Sequence, residues 1–164
     1  MRSRSRAGRR QPLGRADSAQ GKRFVIIASR FHPSISRVLV RGATAVLRRA
    51  GAAGSSIRLL WAPGAFELPV IACRVARSRP RPNAILALGA LIRGDTPQYE
   101  VIAHAVAQGL SQVSVETGIP VTFGVIVATT LPQAMARAGG AFGNRGQEAA
   151  YAALDVLRLF ETLR

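Results

Sequence analysis

Short apolar runs alternate with longer segments of helical periodicity along most of the chain, and this alternation constrains the fold more than any other feature. Four runs rich in β-branched and apolar residues predict buried strands at 24–28, 56–61, 83–92 and 121–127. Helical patterns follow over 33–51, 67–77, from 97 to beyond 113, over 130–138 and over 147–163. Strands that alternate with helices favour one parallel sheet covered on both faces. We therefore expect an α/β fold, a three-layer α/β/α sandwich built on a four-stranded parallel sheet.

Cap signals predict where several of these helices begin. Thr96 precedes Pro97, and this order predicts a threonine cap with proline in the first helical turn. Thr130 and Gln133 have the spacing of a capping box. The segment 139–146 is rich in glycine and is predicted to be a turn between the last two helices. No period of 20–50 residues repeats, which excludes a solenoid.

Basic residues are concentrated at the start of the chain. Of 164 residues, 23 are Lys or Arg and 8 are Asp or Glu, and Lys22 is the only lysine. Residues 1–23 hold eight basic side chains, one acid and no aromatic residue. The sequence therefore predicts a flexible arginine-rich arm over 1–23 and a folded domain over 24–164. A codon bias towards arginine is the alternative explanation of the excess charge. Nucleic acid is not an expected partner, because the arm lacks interleaved aromatic residues and no recognisable nucleic-acid module is present.

Cysteine and histidine usage argues against a metal site. Cys73 is the only cysteine, so no intramolecular disulfide and no zinc site built from cysteine pairs can form.

The longest uncharged apolar run, about 84–92, is far shorter than the ~20 residues that cross a bilayer. No signal-peptide core follows the basic start. We expect a cytoplasmic protein without membrane contact; import into an organelle is the alternative.

Unusual residues follow each predicted strand, at the edge where such folds bind ligands. Phe31 predicts a stacking platform for a flat heterocycle or, alternatively, a loop anchored in the core. Glu67 accepts hydrogen bonds from a ligand or complements a helix dipole. The turn at 94–96 feeds a helix N-terminus and suits an anion. Dinucleotide, Walker-type and nucleophile-elbow motifs are absent.

Six segments together resemble a known family. They are SRF at 29–31, PGAFELP at 63–69, GALIRGDTP at 89–97, PVTFGV at 120–125, ARAG at 136–139 and GNRGQEAA at 143–150. In this order and at this spacing they resemble the lumazine synthase (6,7-dimethyl-8-ribityllumazine synthase) family over about residues 22–164. The resemblance implies a transferase of riboflavin biosynthesis that acts at the penultimate step. It condenses 5-amino-6-(D-ribitylamino)uracil with 3,4-dihydroxy-2-butanone 4-phosphate and needs no cofactor or metal.

The resemblance also implies an assembly and a set of site residues. The subunit is expected to be flavodoxin-like and to form a homopentamer with active sites between subunits. Because 138–145 carries no insertion, a 60-subunit icosahedral shell is expected, with riboflavin synthase as a further partner. Phe31 would stack on the pyrimidine, and Phe123 and Arg137 would come from the neighbouring subunit. The other substrate-binding residues implied are Ala65, Phe66, Glu67, Ala90, Leu91, Ile92, Asp95, Thr96, Arg145 and Glu148.

Three positions depart from the family pattern. Gln98 stands where the family has a histidine taken to transfer protons, and glutamine cannot do so near neutral pH. His32 replaces an asparagine, and Arg145 replaces a lysine. We hypothesise that His32 partly replaces the missing base while Gln98 orients the substrate; alternatively, His32 caps the following helix or is solvated. His104 follows Gln98 by six residues, about 240° around a helix, and should face elsewhere.

Two alternatives to an active lumazine synthase are kept open. A catalytically weak shell-forming or ligand-binding paralogue of the same fold would explain the missing histidine. A pentameric riboflavin synthase of archaeal type is a minor enzymatic alternative. Turnover of the two substrates distinguishes the first reading from an active lumazine synthase.

Overall fold

The computed structural model describes residues 18–163, which form an alternation of strands and helices. The strands of the main sheet are β1 (Phe24–Ser29), β2 (Ile57–Ala62), β3 (Ala84–Ile92) and β4 (Val121–Ala128). The helices are α1 (Pro33–Arg49), α2 (Leu68–Ala76), α3 (Gln98–Thr117), α4 (Leu131–Arg137) and α5 (Arg145–Thr162). Two short strands, β5 (Ala138–Gly140) and β6 (Gly143–Asn144), and a 3₁₀ turn at Gly54–Ser56 complete the elements.

The four main strands form one parallel sheet in the order β2-β1-β3-β4. Side chains of alternate strand residues enter two separate cores. One core joins Phe24, Ile26 and Leu86 to α1 and α5, and the other joins Ile27 and Ile85 to α2 and α3. Because apolar layers cover both faces of the sheet, the predicted three-layer sandwich with a four-stranded parallel sheet is confirmed.

The chain is already packed against the domain before β1 begins. Ala19 is fully buried and its N–H donates to the carbonyl of Ala50 at the end of α1 (2.8 Å). Lys22 forms an ion pair with Glu161 of α5 (2.9 Å). The flexible arm predicted over 1–23 is therefore wrong for 18–23, because a buried alanine and an ion pair tie that part down. Its remainder, 1–17, lies outside the described residues.

Two helix starts differ from their sequence signals. Pro97, not Thr96, is the N-cap of α3, and no side chain caps this helix; the Pro97 carbonyl accepts the N–H of Glu100 (3.0 Å). The Thr96 cap is thus wrong, because the backbone of Pro97 closes the first turn. At α4 the Thr130 Oγ1 accepts the N–H of Gln133 (3.3 Å), as predicted. The Gln133 carboxamide accepts from the N–H of Thr129, one residue earlier than in a capping box.

The glycine-rich segment is more ordered than a plain turn. It contains the hairpin formed by β5 and β6, and α5 begins at Arg145 rather than at 147. The Asn144 Oδ1 accepts the N–H groups of Gly146 (2.9 Å) and Gln147 (3.1 Å), which satisfies two donors of the first turn. Its Nδ2 donates to the Val38 carbonyl of α1 (3.3 Å). Asn144 therefore starts α5 and fixes it against α1.

Replacing Asn144 should weaken the contact between α1 and α5. Asn144→Ala removes both cap bonds, and loss of an N-cap costs about 1–2 kcal/mol of the unfolding free energy. Asn144→Ser keeps a capping oxygen and should lose less. Urea unfolding followed by circular dichroism measures both variants. If serine destabilised the protein as much as alanine, capping would not be the role of Asn144.

No helix within residues 18–163 is long and apolar enough to cross a membrane.

Candidate active site

Four loops meet at the carboxyl edge of the sheet. Ser29 is in register with Ala62, and Ile92 with Ala128, so the strand ends are aligned in pairs. In the sheet, β1 lies between β2 and β3, so the chain crosses from β1 to β2 on one side and then from β2 to β3 on the other side of β1. Helices α1 and α3 cover opposite faces of the sheet. This is the topological switch point of a doubly wound sheet, the place where such folds bind their ligands.

The loop after β1 presents an aromatic ring to solvent. The N–H of Arg30 donates to the Ala62 carbonyl (2.8 Å), which ties this loop to the end of β2. The N–H of Phe31 donates to Oγ of the buried Ser29 (3.2 Å). Phe31 is 65% exposed, so the alternative that it anchors the loop in the core is wrong. Because these hydrogen bonds fix the loop while the ring stays exposed, Phe31 is suited to stack on a flat ligand.

His32 has an unusual backbone conformation, and its ring makes no cap hydrogen bond. Its φ of 56° and ψ of 61° place it in the left-handed region, and it is the one non-glycine residue of 18–163 with positive φ. Its carbonyl accepts the N–H groups of Ile35 and Ser36, but its side chain makes no cap hydrogen bond. His32 is thus the N-cap residue of α1, as the alternative expected, but it caps through its carbonyl and not through its side chain. The imidazole packs edge-on against the Phe31 ring, with centroids 5.0 Å apart.

The loop after β2 holds a carboxylate close to a glycine. Ala65 is buried and its carbonyl accepts the N–H of Leu68 (3.1 Å), whereas Phe66 is exposed. Glu67 is the N-cap of α2 without a side-chain cap bond. A Cβ at Gly64 would lie 2.9 Å from the Glu67 Oε2, so glycine makes room for this carboxylate. Glu67 makes no ion pair with another described residue and can accept hydrogen bonds from a ligand.

The loop after β3 is exposed at the start of α3. The N–H of Arg93 donates to the Ala128 carbonyl (3.0 Å), which extends the ladder beyond β3. Asp95, Thr96 and Gln98 are exposed, and their side chains make no hydrogen bond to other residues of 18–163. The sequence places Ala90, Leu91 and Ile92 directly before this loop; Ala90 is buried and the other two are half-buried. Backbone and side-chain donors near the helix N-terminus suit an anion.

Tyr99 and His104, the ring-bearing neighbours of Gln98 on α3, both make hydrogen bonds to Glu100. The Tyr99 hydroxyl donates to Oε1 of Glu100 (2.9 Å), and this hydrogen bond raises the pKa of Tyr99 above its ordinary value. The phenol therefore stays protonated at neutral pH. The Nδ1 of His104 lies 2.8 Å from the Glu100 carbonyl within the same helix. The nearest histidine to Gln98 along α3 is thus engaged with the backbone.

Two cationic residues predicted for the site differ in their partners. The Nη1 of Arg145 lies 2.6 Å from Oε2 of Glu148, so these two predicted ligand contacts neutralise each other. The sequence missed this pairing, although the spacing of three residues at a helix start signals it. Arg137 is exposed at the end of α4 and has no ion pair among the residues that the structure describes. Of these two arginines, only Arg145 has a carboxylate partner within residues 18–163.

One chain does not bring all predicted residues together. Phe123 pairs with Ala87, five residues before the end of β3 at Ile92, which places it about 16 Å from the carboxyl edge. It lies on the edge strand β4 and is 39% exposed. Phe123 therefore cannot reach a ligand at the carboxyl edge of its own subunit. No role was predicted from the sequence for Ser29 of the SRF segment, whose buried hydroxyl accepts the N–H of Phe31.

The strand order and the four loops define a doubly wound α/β protein of flavodoxin-like topology with a candidate ligand site at its switch point. The family model for 6,7-dimethyl-8-ribityllumazine synthase matches residues 21–161. The chain belongs to the lumazine synthase family.

Curated relatives support this membership over most of their length. The 6,7-dimethyl-8-ribityllumazine synthase of Gemmatimonas aurantiaca is 48% identical over 142 residues, 87% of this chain and 86% of the relative. That of Desulfotalea psychrophila is 44% identical over 146 residues, 89% of this chain and 94% of the relative. That of Thermus thermophilus is 40% identical over 146 residues, 89% of this chain and 92% of the relative.

Proposed function

We propose that this protein is an active 6,7-dimethyl-8-ribityllumazine synthase. It condenses 5-amino-6-(D-ribitylamino)uracil with 3,4-dihydroxy-2-butanone 4-phosphate and releases inorganic phosphate and water. The observation that carries the proposal is the match of the family over 21–161, which includes all four loops at the carboxyl edge. The ring of Phe31 and the carboxylate of Glu67 are available there for a flat heterocycle and a polyol chain.

In this proposal each loop binds one part of the substrates. Phe31 stacks on the pyrimidine, and Glu67 accepts hydrogen bonds from the ribityl chain. Asp95 and Thr96 contact the phosphate from the turn before α3, with Arg137 as the counter-charge. The amine attacks the ketone to form an imine with loss of water; phosphate elimination, ring closure and a second dehydration follow. Arginine suits the phosphate because its guanidinium donates two parallel hydrogen bonds.

Turnover is tested with the purified full chain and both substrates. We expect a rise in lumazine fluorescence matched by release of inorganic phosphate, and no signal when either substrate is omitted. The control variant is Phe31→Ala, which removes the stacking ring from an exposed loop. Binding of the pyrimidine without product formation would instead favour the catalytically weak paralogue. That reading has one supporting observation, Gln98 at the position of the family histidine.

The proposed enzyme is a cytoplasmic homopentamer whose sites lie between subunits. Support comes from Phe123, which is partly exposed yet about 16 Å from the carboxyl edge of its own chain. In a ring of identical subunits it would complete the site of a neighbour. The hairpin between α4 and α5 is short, as in the members of the family that form icosahedral shells. We also propose that the assembly associates with riboflavin synthase.

We expect twelve pentamers to form a 60-subunit icosahedral shell. The short connection between α4 and α5 leaves the surface between pentamers without an inserted loop. Analytical ultracentrifugation of the full chain should therefore show one large species. The matched control is a variant with several residues inserted between Ala141 and Phe142, which should yield free pentamers. A pentamer-sized species from the parent chain would contradict the shell.

A further inference from the structure

A buried hydroxyl lies at the end of the interior strand β1, where the chain leaves the sheet for the candidate active site. Ser29 is fully buried and is in register with Ala62 of β2. Its Oγ accepts the N–H of Phe31 (3.2 Å), so a side chain holds the backbone two residues further along. A serine that closes a local turn in this way takes the place of a backbone acceptor. The hydroxyl therefore helps to set the path of the loop after β1.

The neighbouring strand leaves room for this serine side chain. Ala28 is in register with Leu88, which puts Gly89 of β3 beside Ser29. A Cβ at Gly89 would lie 3.0 Å from the Ser29 Cβ and 3.9 Å from its Oγ. The first of these distances is shorter than the optimal separation of two carbon atoms, ~3.5–4.0 Å. Glycine at position 89 therefore lets the Ser29 side chain stay where its hydroxyl meets the N–H of Phe31.

Phe31 lies between two anchored neighbours. The N–H of Arg30 is bonded to the end of β2, and the carbonyl of His32 closes the first turn of α1. Within residues 18–163, the hydrogen bond that fixes the Phe31 backbone itself is the one to Ser29. The Phe31 side chain is exposed, so the core does not hold the ring in place. The orientation of the ring therefore depends on the Ser29 hydroxyl.

We infer that Ser29 is a positioning residue, whose hydroxyl holds the Phe31 ring in the orientation that stacks on the pyrimidine substrate. The inference rests on the proposed function, because it takes Phe31 to be the stacking residue. Because Ser29 is fully buried, it contacts no substrate and acts through Phe31. Without the hydroxyl the loop samples other conformations, and ordering it again on binding costs affinity. The loss should fall on the pyrimidine, because the proposed phosphate contacts lie on other loops.

The test compares two buried serines. Ser29→Ala removes the hydroxyl that accepts the N–H of Phe31. The matched control is Ser36→Ala: Ser36 is likewise fully buried, but its Oγ has no hydrogen-bond partner within residues 18–163. Isothermal titration calorimetry measures the dissociation constant of 5-amino-6-(D-ribitylamino)uracil, and steady-state kinetics measures the Michaelis constant of each substrate. Urea unfolding verifies that both variants are folded.

We expect Ser29→Ala to raise the dissociation constant and the Michaelis constant of the pyrimidine by about two- to tenfold, the range that one neutral hydrogen bond contributes. The Michaelis constant of 3,4-dihydroxy-2-butanone 4-phosphate should change little, and Ser36→Ala should change neither substrate's constant. A general loss of structure would not separate the two substrates in this way. Equal effects on both substrates, or equal effects of the two serine variants, would overturn the inference.

A double-mutant cycle tests whether Ser29 acts through Phe31. In a Phe31→Ala background the stacking ring is gone, so Ser29→Ala should weaken pyrimidine binding no further. Additive losses would contradict the inference. Hydrogen exchange of the segment 29–32, followed by mass spectrometry without substrate, should be faster in Ser29→Ala than in Ser36→Ala. Identical exchange in the two variants would contradict it as well.

Failure of the inference and failure of the proposed function give different results. An active Ser29→Ala variant that binds the pyrimidine like the parent would refute the role of Ser29 alone. A parent chain that binds the pyrimidine but forms no product would refute the proposed function, whereas the dissociation constants would still decide the role of Ser29. A parent chain that binds no pyrimidine would refute both.

Discussion

Arg137→Ala should raise the Michaelis constant for 3,4-dihydroxy-2-butanone 4-phosphate by roughly ten- to a hundredfold. A hydrogen bond to a charged group contributes ~1.5–3 kcal/mol, which corresponds to this change in affinity. Arg137 is exposed at the end of α4 and has no ion pair within residues 18–163. Its charge is therefore available to the phosphate. The Michaelis constant for the pyrimidine, which carries no phosphate, should change little.

Arg145 provides the matched control for this prediction. It is also an arginine near the end of the glycine-rich segment, but Glu148 already neutralises it at 2.6 Å. Arg145→Ala should therefore affect the phosphate substrate much less than Arg137→Ala. Arg137→Lys keeps the charge but not the planar fork and should give an intermediate value. Steady-state kinetics with each substrate varied in turn measures these effects. Equal increases for both substrates would count against Arg137 as the phosphate ligand.

His32→Asn should lower turnover at least tenfold and remove the pH dependence of the rate near neutrality. The His32 ring lies against Phe31 and makes no cap hydrogen bond, so it is available to accept a proton from the substrates. Imidazole is the side chain that ordinarily titrates in this range, and general acid–base assistance contributes ~10²–10⁴-fold. The parent rate should depend on pH near neutrality, as general base catalysis by a side chain implies. The variant rate should stay flat.

Asparagine is chosen because of the backbone of His32. At a φ of 56°, histidine, asparagine and aspartate are better tolerated than other non-glycine residues. His32→Asn therefore removes the imidazole while keeping the loop conformation, whereas His32→Ala also strains the backbone. His104→Ala removes the other histidine, which is bonded to its own helix, and should leave the pH profile unchanged. A His32→Asn variant that turns over like the parent across pH 6–8 would exclude the substitute base.

Restoring the family residue tests the same hypothesis from the opposite direction. Gln98→His should raise turnover, because it puts a titratable ring at the exposed start of α3. In that background His32→Asn should have a much smaller effect, since the second base is no longer needed. The raised pKa of Tyr99 keeps its hydroxyl protonated at neutral pH and removes it as a competing base. Equal losses from His32→Asn in both backgrounds would show that the two positions act independently.

The sequence by itself determined the α/β class, the four parallel strands, the loops that carry the site and the Thr130 start of α4. These features depend on hydrophobic periodicity and on caps, which act between residues close together in the chain. They can therefore be predicted from the amino-acid sequence alone. The sequence signals failed at α3, where the Pro97 carbonyl closes the first turn, and at α5, where the local cap formed by Asn144 was not predicted.

Only the tertiary structure decided which charged groups and aromatic rings are available to contact a ligand. Arg145 is paired with Glu148, Arg137 forms no ion pair within residues 18–163, and Phe123 lies far from the carboxyl edge of its own chain. The ordering of 18–23 likewise depends on the burial of Ala19 beside Ala50. Each outcome depends on contacts between residues distant in sequence. Such contacts exist only after the helices have packed on the sheet, because packing rather than local preference brings those side chains together.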